Sequence, residues 1–519
     1  MAVYCKIYRP LWSWCRKFHR STYFLLNQIP NSRKIVPLNI IISENTDVYK
    51  KMKENISNIE WSSIREELLQ IQQITPAIVD TTIMDICLKD FEIDTAIAYF
   101  KFLRGNNYPL NVAVIGKYLR LYYLKRNSLT DVDKTEIIET YNALRQQHTY
   151  LDSVTAEHCI VSLCLTDQWE KTFEIMEMIR ITTHLGATVY SAIIAAAFRN
   201  QKSDIAWKML LEMTLHRLRP QNVVYTSHLQ YCELEKTKIN DRIEEMFKFW
   251  AEHSIMPHNH IMNAYVNTVT KYGWSVASTT ISTTGNCSHC NHSLSKITFS
   301  DKNFQDLAES VMNKVIIGSD IYRKTNPREL QRFKKFIEDT KPYDIVIDGL
   351  NISYIQNNCT PILETLLNVI EYFSKRRKRI LVLTRKHQKK LPSFKYIEKH
   401  AFVFFTDNLS ADDPYMLYAT MSSGKNAKFV SLDLMRQHKH SLKDLPLEKE
   451  FKKWQCSHQY FVKKKSATSI YIQEPFVYVP TAHKNGDHWH VPYVSDDSTY
   501  AETLEFPDKW YCLKCSKNK

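Results

Sequence analysis

The feature that most constrains the fold is a pattern that recurs about every 35 residues between residues 60 and 265. Tyr190 recurs as Tyr225, 35 residues later, and each unit carries two short amphipathic helical patterns. A Pro-x-Asn step opens three of the units, at Pro109, Pro220 and Pro257. One such hairpin cannot bury its own apolar face, so roughly three or more must stack. The period therefore predicts an α-helical solenoid over residues 60–265.

The charge balance favours a polyanionic partner. Lys and Arg outnumber Asp and Glu by 69 to 55, which gives a net charge of +14. Phosphate neutralisation by basic side chains supplies most non-specific affinity for nucleic acid. The alternative is a basic surface that serves solubility alone. No stretch approaches the roughly 18 apolar residues of a membrane span.

The amino-terminal segment differs from the rest of the chain. The first 43 residues contain no Asp or Glu, and Glu44 is the first acid. Lys and Arg alternate there with aromatic and aliphatic residues, as is typical of a mitochondrial presequence. We therefore expect residues 1–45 to direct the protein to the mitochondrial matrix. The alternative is a basic arm that binds RNA.

From about residue 342 the periodicity changes from helical to alternating. Short β-branched or aromatic runs occupy residues 344–347, 379–383, 401–406 and 428–432, with helical patterns between them at 360–376 and 415–422. Strands that alternate with helices predict a parallel α/β sheet, here within a domain spanning residues 301–479. The tail from about residue 480 shows few helical or strand signals and many His, Trp and Cys residues.

Aspartates follow three of the predicted strands. Asp348 ends the first strand, Asp412 and Asp413 lie beyond the third, and Asp433 follows the fourth. Ligands of open parallel sheets bind outside the carboxyl ends of the strands. Carboxylates gathered at one edge repel one another unless a divalent cation compensates them. A hydrolytic magnesium site is therefore predicted. For each residue alone, a turn or a helix cap is the alternative interpretation.

Basic residues follow the second strand at the same edge, and they are candidates for contact with substrate phosphate: Arg385, Lys386 and His387. The alternative is a solvated run of charge that continues through Lys389 and Lys390. Asp407, at the end of the third strand, is a reserve candidate for the metal site.

Two Cys-x-x-Cys pairs predict a zinc site between distant parts of the chain, in a central region formed by residues 270–300 and 480–519. Spacing alone favours four thiolates, from Cys287, Cys290, Cys512 and Cys515. Histidines also lie close to both pairs: His289, His292, His488 and His490. A catalytic zinc is the competing interpretation, but no His-x-Glu element supplies a general base. Cysteines that bind no metal are the remaining alternative.

The repeats resemble pentatricopeptide repeats. The second helix of one unit reads Ala-Trp-x-x-Leu-x-Glu-Met from Ala206, and the first helices open on Val-Tyr, as at Val189. By this resemblance the concave face binds RNA, while a protein-binding solenoid is the alternative. The motifs at residues 345–351, 412–415 and 433–436 resemble the NYN/PIN-like metallonuclease domain of protein-only ribonuclease P. The resemblance covers about residues 60–519.

The resemblance to protein-only ribonuclease P implies a set of functional residues. Its metal-binding aspartates correspond to Asp348, Asp412, Asp413 and Asp433, which would hold Mg²⁺ or Mn²⁺. Asn351 would be a polar neighbour of these metals, and Asp407 matches no position of the family. The family's Trp-His-x-Pro and Trp-x-Cys elements match residues 489–492 and 510–512. They imply structural Zn²⁺ bound by Cys287, Cys290, His490 and Cys512, with Cys515 left over.

The resemblance also implies an architecture and a function. The fold class is α plus α/β: a helical pentatricopeptide-repeat solenoid, a zinc-binding central region and a parallel-sheet metallonuclease domain. The implied activity is mitochondrial ribonuclease P, an endoribonuclease that removes 5′ leaders from precursor tRNA. The animal type depends on a tRNA methyltransferase and a short-chain dehydrogenase as partners. The alternatives are a non-catalytic repeat protein that stabilises mitochondrial RNA and a general nuclease of the same α/β class.

Overall fold

The computed structural model describes residues 46–53, 59–71, 74–89, 92–313, 327–354, 363–390, 394–407, 412–442, 444–464, 470–497 and 506–515. The predicted presequence lies outside these residues. The described residues form two compact units, one that ends at Ile243 and one that begins at Glu244. None of the helices in the described ranges is long and apolar enough to cross a membrane.

The first unit is built from helices in pairs. They are α1 (Thr46–Lys51), α2 (Trp61–Leu69), α3 (Val79–Lys89), α4 (Ile93–Gly105), α5 (Val112–Leu124), α6 (Asp131–Gln147), α7 (Ser153–Leu163), α8 (Thr172–Arg180), α9 (Ala187–Arg199), α10 (Ser203–Leu215) and α11 (Asn222–Glu233). Alternate helices pack on one another in the series α3, α5, α7, α9 and α11. The ten residues from Val189 to Phe198 are all buried, because α9 has neighbours on every side.

The predicted repeat of helix pairs is confirmed. Helices α7, α9 and α11 begin at Ser153, Ala187 and Asn222, which are 34 and 35 residues apart. The preceding interval is longer, because α5 begins 41 residues before α7. A 3₁₀ turn at Arg126–Ser128 and the long helix α6 take up the additional residues. A reciprocal capping box between Thr130 and Asp133 fixes the start of α6.

Two buried polar groups lie between the helices of this unit. The Tyr99 hydroxyl donates to Asp80 Oδ1 over 2.6 Å, and Arg65 Nε donates to the same oxygen over 2.9 Å. Burial and the Asp80 carboxylate raise the pKa of Tyr99. His228 is fully buried on α11, and burial lowers its pKa to about 3. The folded unit therefore favours the protonated form of Tyr99 and the neutral form of His228.

The chain continues through α12 (Ile239–His253), and the second unit contains α13 (Asn259–Lys271), α14 (Asp301–Val311), α15 (Pro327–Thr340), α16 (Gly349–Ser353), α17 (Leu363–Ser374), α18 (Phe394–His400), α19 (Asp412–Ser422), α20 (Arg436–Ser441) and α21 (Leu445–His458). Its strands are β1 (Ser275–Thr279), β2 (Ile345–Asp348), β3 (Ile380–Arg385), β4 (Phe402–Thr406), β5 (Lys428–Val430), β6 (Gln459–Lys464), β7 (Ile470–Gln473), β8 (His483–Asn485), β9 (His488–Pro492) and β10 (Trp510–Lys514). They form two sheets.

The larger sheet has the strand order β4-β3-β2-β5-β6-β7. Strands β2 to β6 pair in parallel, and β7 is antiparallel at the edge. Apolar helices cover both faces, so the parallel strands are buried, as in other α/β folds. The predicted mixed fold is confirmed: a helical amino-terminal region is followed by a sheet domain with the four strands that the sequence indicated. Strands β6 and β7 were not predicted.

The order of this sheet creates a crevice between β2 and β5. From β2 the chain adds β3 and then β4 on one side, and it then crosses over to place β5 on the other side. The connection that follows β2 leads to β3 and the connection that follows β5 leads to β6, so the two leave the sheet in opposite directions. At such a switch point a cleft opens at the carboxyl ends of the two central strands, where α/β proteins bind ligands.

The smaller sheet is antiparallel, with the order β1-β10-β9-β8. The tail has few strand signals in its sequence, yet β8, β9 and β10 all lie within it. These strands are only three to five residues long and rich in His, Trp and Cys, so they lack alternating aliphatic residues. They are stabilised by pairing with one another and, through β10, with β1, which lies more than 200 residues earlier in the chain. Leu294, Tyr478 and Trp510 form a small core beside them.

Candidate active site and metal centre

Asp348 occupies the carboxyl end of β2, in the crevice. Its side chain caps α16, because Oδ1 accepts a hydrogen bond from the Asn351 backbone N–H over 2.9 Å. The residue is only 5% exposed. Gly349 allows this arrangement, since a Cβ there would lie 2.8 Å from the Leu383 carbonyl oxygen. The structure thus makes Asp348 a helix cap and also places its carboxylate at the crevice.

A buried serine joins Asp348 to Asp433. Ser431, directly after β5, donates from Oγ to Asp348 Oδ2 over 3.4 Å and accepts from the Asp433 backbone N–H over 3.1 Å. The Gln459 amide donates to the carbonyl oxygens of Ser431 and Asp433, at 2.8 Å each. The segment that carries Asp433 is therefore held beside Asp348.

The third acidic position comes from α19, which packs against β2. This helix begins at Asp412, so Asp413 lies inside its first turn and is not the cap. Asp413 Oδ2 lies 3.4 Å from His438 Nε2, and the two side chains are 33% and 15% exposed. His438 belongs to α20, five residues after Asp433. The loop after β5 and the helix that follows it therefore supply an acid and an imidazole to the crevice.

The aspartates lie at one edge of the sheet, but their carboxylates do not form a tight cluster. Of the described carboxylates, no three bring ligand oxygens within 4.8 Å of one another. The side chain of Asp412 is outside this comparison, because the structure describes only its backbone position. Mg²⁺ keeps several waters and takes few direct carboxylate ligands, so a spread of oxygen donors suits it.

Asp407 is engaged by cations and not by the other aspartates. Its carboxylate forms an ion pair with Lys386. Arg385 donates from Nη1 to the Asp407 carbonyl oxygen over 2.8 Å. The Asp407 backbone N–H donates to the buried Glu329 carboxylate. Two of the three basic residues predicted to contact phosphate therefore fix the end of β4. These contacts give Asp407 a structural role at the start of the loop that leads to Asp412.

The cysteine and histidine cluster is compact. One ligand atom each from Cys287, Cys290, His490 and Cys512 lies within 4.8 Å of all the others. Cys290 Sγ is 3.1 Å from His490 Nε2. Cys512 and His490 are direct partners in the pairing of β10 with β9. The register of two strands therefore sets half of the cluster, and the loop after β1 supplies the other half.

Burial and local hydrogen bonds prepare this cluster for a cation. Burial opposes ionisation of Cys287, but the Cys290 N–H and the Thr279 hydroxyl outweigh it and lower the pKa of Cys287. Burial raises the pKa of Cys512 and, together with neighbouring histidines, lowers the pKa of His490 to about 4. His490 is therefore neutral near pH 7, the form in which imidazole binds metal. Three thiols and a neutral imidazole in a buried shell match a structural zinc site.

The placement of Cys515 distinguishes the two ligand sets that the sequence left open. Cys515 is not among the described ligand atoms of the cluster. It follows Cys512 by three residues, an odd number, and side chains alternate between the faces of an extended strand. Its N–H donates to the Asp487 carbonyl oxygen over 3.0 Å, which continues the strand pairing. Cys512 and Cys515 therefore point to opposite sides.

Comparisons with known proteins agree with this geometry. The family model described as protein-only RNase P matches residues 281–512, from before Cys287 to Cys512. The mitochondrial ribonuclease P catalytic subunit of Mus musculus is 28% identical over 471 residues, which cover 88% of this chain and 79% of that protein. The chain is therefore similar to protein-only ribonuclease P over most of its length.

Plant proteins described as proteinaceous RNase P are more distant from this chain. Proteinaceous RNase P 3 of Arabidopsis thaliana is 25% identical over 258 residues, 46% of this chain and 42% of that protein. The crystal structure of nuclear proteinaceous RNase P 2 from A. thaliana superposes with a TM-score of 0.56 at 15% identity. It covers 85% of this chain and 100% of that one. This likeness shows that the fold is shared.

Sequence reasoning missed three residues of the crevice. Ser431, His438 and Gln459 contact the aspartates or their backbone. His438 had no periodic signal, because Asp433 lies outside the helix that carries it. Ser431 and Gln459 had none, because their role depends on the pairing of β5 with β2 and β6.

Proposed function

We propose that this chain is a mitochondrial ribonuclease P, a metal-dependent endoribonuclease that removes 5′ leaders from precursor tRNAs. The observation that carries the proposal is the crevice between β2 and β5. Aspartates from three separate chain segments reach it, at Asp348, Asp413 and Asp433. Hydrolysis at this site leaves a 5′-phosphate on the tRNA and a 3′-hydroxyl on the leader.

We assign the catalytic cations to Asp348, Asp412, Asp413 and Asp433. Their carboxylates are hard oxygen donors, as Mg²⁺ or Mn²⁺ requires. When bound, such ions supply positive charge that activates water and stabilises the leaving oxygen. The chain itself contributes orientation. Ser431 and the α16 backbone hold Asp348, while His438 Nε2 lies 3.4 Å from Asp413 Oδ2 and orients that carboxylate.

We assign Zn²⁺ to Cys287, Cys290, His490 and Cys512, in a structural role. The donor set is closed and buried, and it joins the loop after β1 to the pair β9–β10. A structural zinc contributes directly to folding. In this position it would hold the carboxyl-terminal strands on β1 and fix the segments on either side of the nuclease sheet.

We place the enzyme in the mitochondrial matrix and expect it to work with other proteins. The acid-free segment 1–45 and the mitochondrial relatives support the location. A tRNA methyltransferase and a short-chain dehydrogenase are the proposed partners, on the model of the animal type. The stacked helical pairs and the net charge of +14 suit recognition of a folded RNA by shape and backbone. A non-catalytic repeat protein is not favoured, because it has no use for the acidic crevice.

The test is cleavage of a precursor tRNA by the purified full chain in Mg²⁺, with and without the two candidate partners, with both product ends mapped. Asp413→Asn is expected to reduce the single-turnover rate by more than about 100-fold, because even outer-shell contacts to a metal cost roughly 10–100-fold. Asp339→Asn, on the exposed face of α15, makes the same charge change away from the crevice and is the matched control. Product ends away from the leader junction would identify a general nuclease. Binding without cleavage under every condition would refute an enzymatic role.

A further inference from the structure

A second group of metal-binding side chains lies on the outer side of Cys290. Ligand atoms of Cys290, His292 and His488 are within 4.8 Å of one another. Three members of the inner cluster, Cys287, His490 and Cys512, are at most 2% exposed. Cys290 is more accessible, and His292 is exposed. Cys290 therefore belongs to both groups and lies between the buried cluster and solvent.

The two outer histidines are held in place by their surroundings. Asp487 Oδ1 lies 2.7 Å from His488 Nδ1, which leaves Nε2 as the free ligand atom of that ring. A carboxylate in this position fixes the tautomer and orientation of metal-binding histidines in proteins. Lys514 Nζ is 3.7 Å from the second oxygen of Asp487 and holds the carboxylate in turn.

His292 is positioned by its backbone. Its carbonyl oxygen accepts from the Cys287 N–H over 3.0 Å, so the loop that carries Cys287 and Cys290 also fixes His292. The rings of His292 and His488 have their centroids 4.8 Å apart and are tilted by 60°. Two imidazoles at this distance can turn their nitrogens towards one ion.

We propose that Cys290, His292 and His488 form a second divalent-metal site, which shares the Cys290 thiolate with the buried cluster. Two imidazoles and one thiolate select Zn²⁺ and similar late transition metals over Mg²⁺. The site is therefore distinct in chemistry from the aspartate crevice. It concerns metal binding alone and does not rest on the proposed ribonuclease function.

The outer ion is held less tightly than the inner one. It has three protein ligands, whereas the closed inner shell has four. The shared thiolate divides its charge between two cations, and the exposed side of His292 leaves a position for water. The outer site is thus the one whose ion exchanges more readily. It lies on the solvent side of Cys290, the ligand that it shares with the buried cluster.

The experiment adds Co²⁺ to the full-length protein that already carries one equivalent of zinc. Cobalt and zinc contents are measured after removal of free metal, and thiolate-to-cobalt absorption is recorded. The expected result is about one further equivalent of cobalt with the zinc retained, and a thiolate band because Cys290 is a ligand. Mg²⁺ in excess is expected to leave the bound cobalt unchanged.

Variants locate the site. His292→Ala and His488→Ala are each expected to remove the additional cobalt, whereas His289→Ala is the control, an exposed histidine between the two cysteines that is outside both clusters. Asp487→Asn is expected to weaken cobalt binding by about 10–100-fold with the ligands intact. His292 lies in an exposed loop, so its variant keeps the test valid if His488→Ala disturbs β9.

Two results would overturn the proposal. Cobalt that replaces zinc mole for mole would mean that only the buried cluster binds metal. Cobalt uptake that is equal in the His292→Ala and His289→Ala proteins would place the ion elsewhere.

Discussion

Replacing Gly349 with alanine tests how closely the start of α16, directly after Asp348, is packed against β3. An added Cβ would lie 2.8 Å from both the Leu383 carbonyl oxygen and Val382 Cγ1. Carbon atoms in proteins approach to about 3.5–4.0 Å, so α16 and β3 would have to separate by roughly 0.7 Å. Both obstructing atoms belong to β3, which is paired with a strand on either side, and this leaves the short helix α16 as the part that moves.

The displacement has a cost in stability and a cost in activity. Overpacking of this kind destabilises proteins by about 1–3 kcal/mol. For a unit of this size that corresponds to a fall in melting temperature of roughly 2–12 °C. The Asp348 carboxylate is bound to the α16 backbone at Asn351, so it moves with the helix. Misplacement of a catalytic group by about 1 Å can cost roughly 100-fold in rate, and we expect a loss of about 10–100-fold.

The assay is single-turnover cleavage of precursor tRNA, with thermal unfolding followed by circular dichroism on the same protein. Gly105→Ala is the matched control, because no atom lies within 4 Å of the Cβ that it adds. It should retain both the rate and the melting temperature. A Gly349→Ala protein with unchanged rate and melting temperature would refute the packing argument and the link between α16 and Asp348.

Three further predictions concern the buried polar groups and the zinc ligands. Tyr99→Phe removes the hydroxyl bonded to the buried Asp80 and should lower the free energy of unfolding by about 1.5–3 kcal/mol in a denaturant titration; an unchanged midpoint would contradict it. The pKa of His228 falls from 6.5 to about 3 on folding, so its contribution to stability is complete above pH 6.5 and declines as the pH falls towards 3, by up to about 1.4 kcal/mol per pH unit. His228→Gln should therefore show a shallower loss of stability between pH 6.5 and 5, and equal slopes would exclude this residue as a cause. Cys512→Ser should abolish retention of the buried zinc in metal analysis and Cys515→Ser should preserve it, whereas loss of zinc in both variants would favour the four-cysteine set.

Strands β2 and β3 could be predicted because the pattern of apolar residues that indicates a strand is local in sequence. Residues 345–348 and 380–385 form short apolar runs with helical patterns between them, and parallel pairing brings their ends to one edge. Asp348 and Asp433 were predicted there for this reason. Their connection through Ser431 was not predictable, because nothing near Ser431 in the chain indicates that β5 pairs with β2 on the side opposite β3.

In the zinc region, too, the sequence predicted which segments meet but not how their side chains are arranged. The spacing of the cysteines predicted that the linker and the tail would meet, and it favoured Cys515 as the fourth ligand, whereas the family resemblance favoured His490. In the fold, Cys512 pairs directly with His490, and the odd offset turns Cys515 away. A strand of five residues with few aliphatic side chains has no periodic signal, so its existence depends on partners that are distant in sequence.

What the sequence determined by itself is the local chemistry: which segments become helices or strands, which residues can hold a cation, and which family the chain resembles. These properties follow from side chains a few residues apart, since helix and strand periods are short. The tertiary structure decided which of these residues meet. Strand order and register set those encounters, and they depend on the packing of the whole sheet, which no segment encodes alone.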